Sequence, residues 1–234
     1  AVRGAGREWV IRARLLIAAD GVDGMVARWA GLDTRVPARD MESCAQYLMT
    51  NIDVDQDAIY LHFGDNIAPG GYAWVFPKGG DSANIGLGTV ALRAGGRNAR
   101  QWLDEYVQSY FPTGVRVSYT VGGVIVHPTI KRTVTDGLIT VGDAAHMINP
   151  LSGGGIVNAM KAGRLAAEVG SAALAEGDVS AGKLQRYHDA WMHLLGDDHI
   201  RFHRLKDALS RFDDAFFDNL ARTVNGIAYE KRTL

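Results

Sequence analysis

The sequence predicts a mixed α/β protein in which two strand-turn-helix segments flank a β-rich stretch and a helical tail follows. Three observations carry this expectation. Residues 15–19 form an apolar, strand-sized run that ends at Asp20-Gly21 and feeds a helical pattern. Residues 138–141 form a second such run, which leads through Gly142-Asp143 and Gly153-Gly154-Gly155 into a long helical pattern. Between them lie four strand-like segments separated by Asp, Asn, Gly and Pro. A strand that ends in a small turn and enters a helix is the local pattern of α/β proteins. Consecutive strands with short connections favour an antiparallel sheet.

Trp9-Val10-Ile11 reads as a short strand and 15–19 as a fully buried one. Residues 22–30 read as a helix, with Val22, Met25, Val26 and Trp29 at helical spacing and Gly31 as its stop. Strands are expected at 44–50, 58–63, 71–76 and 84–90. Residues 98–110 form an amphipathic helix with Trp102, Leu103, Tyr106, Val107 and Tyr110 on one side, closed by Phe111-Pro112. Two more strands are expected at 115–119 and 124–127, a turn at Asp136-Gly137, and a helix over 156–174. The interleaving implies two lobes: an α/β lobe from 1–36 and 130–176, a β-rich domain over 37–129, and a helical C-terminal region over 177–234.

Hydrophobic residues make up 47% of the 234 and charged residues 22%, which sets aside disordered and fibrous classes. The net charge is -1, and no Lys/Arg-rich stretch offers the footprint a nucleic acid requires. Cys44 is the sole cysteine, so no intrachain disulfide forms. It is either a small core residue or a reactive thiol. No apolar run approaches the ~20 residues that span a bilayer, and no signal-like segment opens the chain. The chain reads as soluble and cytoplasmic, with any membrane contact peripheral.

The most informative segment is Gly142-Asp143-Ala144-Ala145, then Asn149-Pro150-Leu151-Ser152-Gly153-Gly154-Gly155-Ile156. A strand delivers a carboxylate to a sheet edge, glycines let the backbone approach a ligand, and a helix begins with free N–H groups aimed there. A helix N-terminus favours negative charge. Reduced flavin is anionic around N1 and its C2 carbonyl, and Asp143 is of a type to accept hydrogen bonds from ribityl hydroxyls. The plainer reading is a glycine-rich turn that begins a helix.

Asp20-Gly21, with Val22-Asp23-Gly24 and Arg28 following, is by itself a turn after a strand. Paired with Gly142-Asp143 it resembles the two fingerprints of flavin hydroxylases and their relatives, which usually carry Ser where this chain has Gly24. Gly71-Tyr72-Ala73-Trp74-Val75-Phe76-Pro77, then eight residues, then Gly86-Leu87-Gly88 resembles the YxWxFP…GxG signature of geranylgeranyl reductases. Ala68-Pro69-Gly70 and Asn149-Pro150-Leu151 are similar to the archaeal-type digeranylgeranylglycerophospholipid reductases. The resemblance runs over about 15–177. Strand alternation puts Tyr72, Trp74 and Phe76 on one face, with Ala73 and Val75 on the other. A row of rings suits a polyprenyl chain; from the residues alone the same row reads as the packing face of the sheet.

The resemblance implies a p-hydroxybenzoate-hydroxylase-like FAD-binding fold with an antiparallel-sheet substrate domain and a helical C-terminus. It implies FAD contacts at Asp20, Gly21, Arg28, Gly142, Asp143, Ala144, Pro150, Gly153, Gly154, Gly155 and Ile156. It places the isoprenoid substrate on Tyr72, Trp74, Phe76 and Pro77, with Gly86 and Gly88 leaving room for the chain. The implied reaction is saturation of geranylgeranyl double bonds in ether-lipid precursors, with NAD(P)H or a ferredoxin-type protein as electron source. His146, beside the flavin loop, and Cys44 are candidates for the proton donor. His146 reads equally as a surface loop residue. The rivals are a flavin-dependent aromatic monooxygenase and a non-catalytic lipid-binding remnant.

No strand-GxGxxG-helix unit, which holds the FAD pyrophosphate in such proteins, is found. The first βαβ unit of the fold is therefore expected to be absent, and the chain alone to be colourless, poorly soluble and inactive. His199 and His203 stand four apart, the spacing of a metal pair, but without the Glu of a zincin motif they read as helix-surface histidines, and no metal is expected.

Overall fold

A computed structural model describes residues 2–4 and 6–227. The chain divides into two compact units, one of 1–35 with 127–202 and one of 36–126 with 203–234.

In the first unit, β1 (Val2–Gly4) and β2 (Arg7–Trp9) pair as an antiparallel hairpin. The main sheet has the order β3-β10-β9, from β3 (Leu16–Ala18), β9 (Val134–Thr135) and β10 (Leu138–Thr140). β10 runs parallel to β3, with Leu138 opposite Leu16. It is buried throughout, as an apolar run between two ladders should be. β3 departs from the buried strand expected at 15–19: Leu16 and Ile17 are 51% and 44% exposed. Among the described residues its only ladder neighbour is β10, so one side of the strand has no cover.

The helix expected over 22–30 contracts to α1 (Val26–Trp29). The cause is Asp20, whose Oδ2 accepts from the Met25 and Val26 N–H groups at 2.8 and 2.9 Å. The turn Gly21–Gly24 precedes it, with Gly21 at φ +79°. α3 (Ile156–Glu176) ends on Gly177 in the left-handed region. Its buried stripe is Ala162, Ala166, Gly170 and Ala173, small residues that let the helix approach the sheet closely. A side chain at Gly170 would begin 2.8 Å from Leu15 Cδ2. α4 (Ala181–Trp191) completes the core. Tyr187 donates its hydroxyl to the Thr140 carbonyl at 3.0 Å, and Trp191 Nε1 donates to Thr129 Oγ1 at 2.8 Å.

The second unit holds an antiparallel sheet of order β5-β6-β7-β4-β8, from β4 (Met41–Thr50), β5 (Tyr60–Phe63), β6 (Tyr72–Gly79), β7 (Ser82–Val90) and β8 (Val115–Ile125). The two strands expected at 115–119 and 124–127 are one: β8 pairs with β4 from Val115 to Ile125, with one register shift between Leu48 and Met49 and with Cys44 opposite Gly122. Ladder bonds hold the Gly122-Gly123 pair in strand, overriding its weak intrinsic preference. Pro77 lies beyond the end of β5, where no partner requires its missing N–H. α2 (Ala99–Tyr110) starts with a capping box in which Asn98 accepts from the Gln101 N–H and Gln101 answers to the Asn98 N–H. Leu103, Tyr106 and Val107 of α2 are buried with Ala73, Val75, Ile85 and Leu87 in one core.

α5 (Asp197–Leu209) and α6 (Asp214–Asn225) end the described chain. Buried Asp40 accepts at Oδ1 from Lys206 Nζ at 2.5 Å, with His203 Nε2 3.1 Å away, and Lys206 also donates to the Val126 carbonyl. Among the described residues no helix is long and apolar enough to cross a membrane.

Candidate functional site

The flavin candidates gather in the first unit, where β10 passes into α3. Gly142 turns the chain at φ +63°, and Gly142–Ala145 forms one tight 3-10 turn. The turn closes on His146, itself at φ +57°. The loop to α3 is braced by Asn149, which sequence reasoning quoted only as part of a motif. Its Oδ1 accepts from the Leu151 and Ser152 N–H groups, and its own N–H donates to the Gly154 carbonyl. Such an Asx turn is a sequence-readable signal when Asn precedes Pro. Within the glycine triplet only Gly153 needs its freedom, at φ +69°.

Gly155 serves a different purpose. A side chain there would start 3.1 Å from Asp143 Oδ1, so its absence lets that carboxylate sit at the mouth of α3. Among the described residues no side chain caps α3. No described group donates to the Asp143 carboxylate, and burial pushes its pKa up from the ordinary range. Ile156, Val157 and Met160 on the first turns of α3 are 82%, 61% and 71% exposed. An acceptor without a donor, an uncapped helix start and bare apolar side chains match a ligand with hydroxyls, an anionic edge and a flat ring. The residues present therefore fit a flavin. Ala144 and Pro150 are buried within the same loop.

The upstream candidates are arranged differently. Asp20 is engaged with the start of α1, and a side chain at Gly24 would press within 2.8 Å of its carboxyl carbon and of the Gly21 carbonyl. Glycine at 24 thus makes room for Asp20 itself. Arg28 is exposed and donates through Nε to Thr34 Oγ1 at 3.3 Å.

His146 is not a surface residue: it is 2% exposed, and its Nδ1 has no hydrogen-bond partner among the described residues. Burial, helped by His127 nearby, holds its pKa down to about 4. A neutral imidazole at physiological pH is a poor source of a proton. The two later histidines are also not on the helix surface. His199 is 1% exposed and meets Asn158 Nδ2 at 3.2 Å, while His203 binds Asp40. Asp40, His203 and Asp207 bring ligand-type atoms together, but Lys206 Nζ already serves as their cation.

The substrate candidates occupy one face of the second unit's sheet. Ala73 and Val75 are 0% and 1% exposed in the core, whereas Tyr72, Trp74 and Phe76 are half-buried on the other side. The aromatic row is therefore not the packing face. Phe63 extends it, with ring centroids 5.7 Å apart from Phe63 to Tyr72, 5.8 Å from Tyr72 to Trp74 and 6.1 Å from Trp74 to Phe76. Gly86 does not open a space beside the rings. A side chain there would begin 2.5 Å from Trp74 Cζ2, because the indole lies across the glycine and donates through Nε1 to Gln46 Oε1 at 3.0 Å. Gly88 leaves no opening either: a side chain there would begin 3.0 Å from Cys44 Sγ and 3.1 Å from Glu42 Oε2, which lie over the glycine. Burial and the neighbouring Glu42 push the Cys44 thiol up to about 12, so it is no reactive thiolate.

Comparison with known proteins identifies relatives of the chain. The geranylgeranyl reductase catalytic domain matches residues 40–124, the segment that carries the aromatic row. Digeranylgeranylglycerophospholipid reductase 2 of Methanococcoides burtonii is 40% identical over 229 residues, 98% of this chain and 56% of that protein. The chain spans little more than half the length of the curated relatives it matches. Among solved structures, a geranylgeranyl bacteriochlorophyll reductase-like protein of Thermoplasma acidophilum superposes with a TM-score of 0.89 at 34% identity, over 95% of this chain and 57% of that one. A flavin-dependent brominase shares the fold alone, at a TM-score of 0.64 and 17% identity, over 95% and 65% of the two chains. With about two-fifths of its residues matched across nearly its whole length, and a catalytic-domain match on the aromatic sheet, the chain is homologous to the geranylgeranyl reductases.

Proposed function

We propose that this chain is part of an FAD-dependent reductase that saturates the double bonds of geranylgeranyl chains on ether-lipid precursors. The observation that carries the reading is the aromatic row on the unpacked face of the sheet, within the segment matched by the catalytic domain. An isoprenoid offers only apolar surface and π-bonds, and a half-buried row of rings suits both. Reduced FAD, when bound, supplies hydride. The residues that would hold it are Asp143 and Gly155 at the start of α3, the loop from Gly142 through Ala144 and Pro150 to Ile156, and, farther along the cofactor, Gly21 and Arg28. The protein's contribution is to hold the alkene chain in place and keep water away. The fold belongs within the p-hydroxybenzoate-hydroxylase-like flavoproteins, with 37–129 as the substrate domain.

The test is incubation of the full-length protein with FAD, a chemical reductant and geranylgeranyl lipid, followed by mass spectrometry. Gain of two hydrogens per double bond is expected. Oxygen consumption with a hydroxylated product would replace this reading by a monooxygenase.

A further inference from the structure

Saturation of an unactivated alkene requires an acid at one carbon as hydride reaches the other. His146 is neutral near physiological pH and Cys44 holds its proton too tightly. A third group stands on the aromatic face. Glu42 lies in β4, opposite Val90 of β7 and Val124 of β8, two residues before Cys44 and so on the same side of the sheet. Cys44 is opposite Gly88, and Gly88 is opposite Tyr72. The Glu42 carboxyl and the Cys44 thiol therefore lie together over Gly88, at the Tyr72 end of the row. No described group hydrogen-bonds to that carboxyl.

We propose that Glu42 is the acid that protonates the isoprenoid double bond, its carboxyl standing on the aromatic face over Gly88, beside Tyr72. The assignment rests on the reductase reading above. As the π-bond opens, the carboxyl O–H bond breaks and a C–H bond forms at one alkene carbon. The other carbon takes up hydride, the reductant being a two-electron-reduced flavin. The products are the saturated chain, oxidised flavin and a Glu42 carboxylate, which water reprotonates. The surroundings suit the task. Burial pushes the Glu42 carboxyl up to about 7, and the charge of Lys206 limits the rise. Lys206 is itself held by Asp40, with Asp207 and His203 beside it. Cys44 and Tyr72 are the other titratable neighbours, and both remain protonated because burial raises their pKa values. Val90 and Val124 bring no charge.

The experiment is single-turnover reduction of geranylgeranyl lipid by the full-length, flavin-loaded protein across pH, in wild type, E42Q and E42D. Since the protonated form acts, the wild-type rate should be level below about 7 and fall tenfold per pH unit above it. E42Q should be slower by about 10²–10⁴-fold, the usual span of a general acid, and lose the bend. E42D should recover part of the rate and keep the bend. Separately, infrared spectra of the flavin-free protein labelled with ¹³C-glutamate should show a carboxylic acid that titrates near neutrality and is missing from E42Q. A folded E42Q enzyme with wild-type rate and bend overturns the assignment and leaves the reductase reading intact. A wild-type protein that binds FAD but saturates no lipid at any pH removes both. Should E42Q not fold, E42D and the wild-type titration decide, and the absence of any glutamic acid titrating near neutrality overturns the proposal.

Discussion

Replacing Gly86 with alanine tests the seat of the aromatic row most directly. The new methyl carbon would lie 2.5 and 2.6 Å from Trp74 Cζ2 and Cε2 and 2.8 Å from the Ala45 carbonyl oxygen. That carbonyl belongs to the ladder between β4 and β7 and has little room to move. The indole must therefore swing away and give up its bond to Gln46. Overpacking of this kind costs about 1–3 kcal/mol, and a neutral hydrogen bond contributes about 1 kcal/mol. We expect Gly86→Ala to destabilise the protein by about 2–4 kcal/mol in urea unfolding at constant m-value. The ring contact is isolated by a double-mutant cycle. In a Trp74→Ala background the methyl meets only the carbonyl, so the cost should shrink by about 1 kcal/mol or more. Strict additivity of the two substitutions would refute the packing of Trp74 on Gly86, and with it the rigid wall on which the proposed substrate site depends.

Two further outcomes follow from the first unit. Asp143→Ala, which removes the acceptor beside the α3 start, should weaken FAD binding by about 10- to 100-fold, the equivalent of a charge-assisted hydrogen bond. Gly153→Val should weaken it through a strained φ of +69°; wild-type affinity in both variants, by titration of flavin-free protein, would remove the loop from the cofactor site. His146 binds its proton at about 4 when folded, against an ordinary 6.5. The unfolded chain takes up that proton first, so stability is full above 6.5 and is lost as pH falls toward about 4, by about 3 kcal/mol. His146→Asn, which tolerates the left-handed φ, should flatten the stability profile in that window, and an unchanged slope would show that another group titrates there.

Much of the second unit was legible because its signals are local. Alternation of Tyr72, Trp74 and Phe76 with Ala73 and Val75 separated the two faces, and the spacing of Trp102, Leu103, Tyr106, Val107 and Tyr110 marked α2. What lay beyond the sequence was long-range. That Leu16 and Ile17 are bare depends on the strands beside β3, not on their own apolar character. The merging of two expected strands into β8 depends on the ladder with β4. The candidate site shows the same limit. The glycine-rich loop was readable, but that Gly155 admits Asp143 while Gly86 admits only Trp74 is a matter of side-chain direction. Glu42 carries no motif. It becomes visible only when β4 and β7 are aligned and its carboxyl is seen to lie over Gly88 on the aromatic face.

The pairing of β3 with β10 also governs the order in which the molecule comes together. Leu16 and Leu138 are more than a hundred residues apart in the chain, so their ladder closes a long loop whose entropy opposes early contact. The core of the second unit, by contrast, draws all its buried residues from between Ala45 and Val107, while that of the first needs residues from Ala18 to Trp191. Contacts close in sequence form faster. On a ribosome the aromatic sheet can therefore condense while α3 and α4 are still unmade, and the proposed flavin loop is the later of the two to assemble. In pulse-labelled amide exchange β4 and β7 should gain protection before β3 and β10, and simultaneous protection would show that the two cores fold as one.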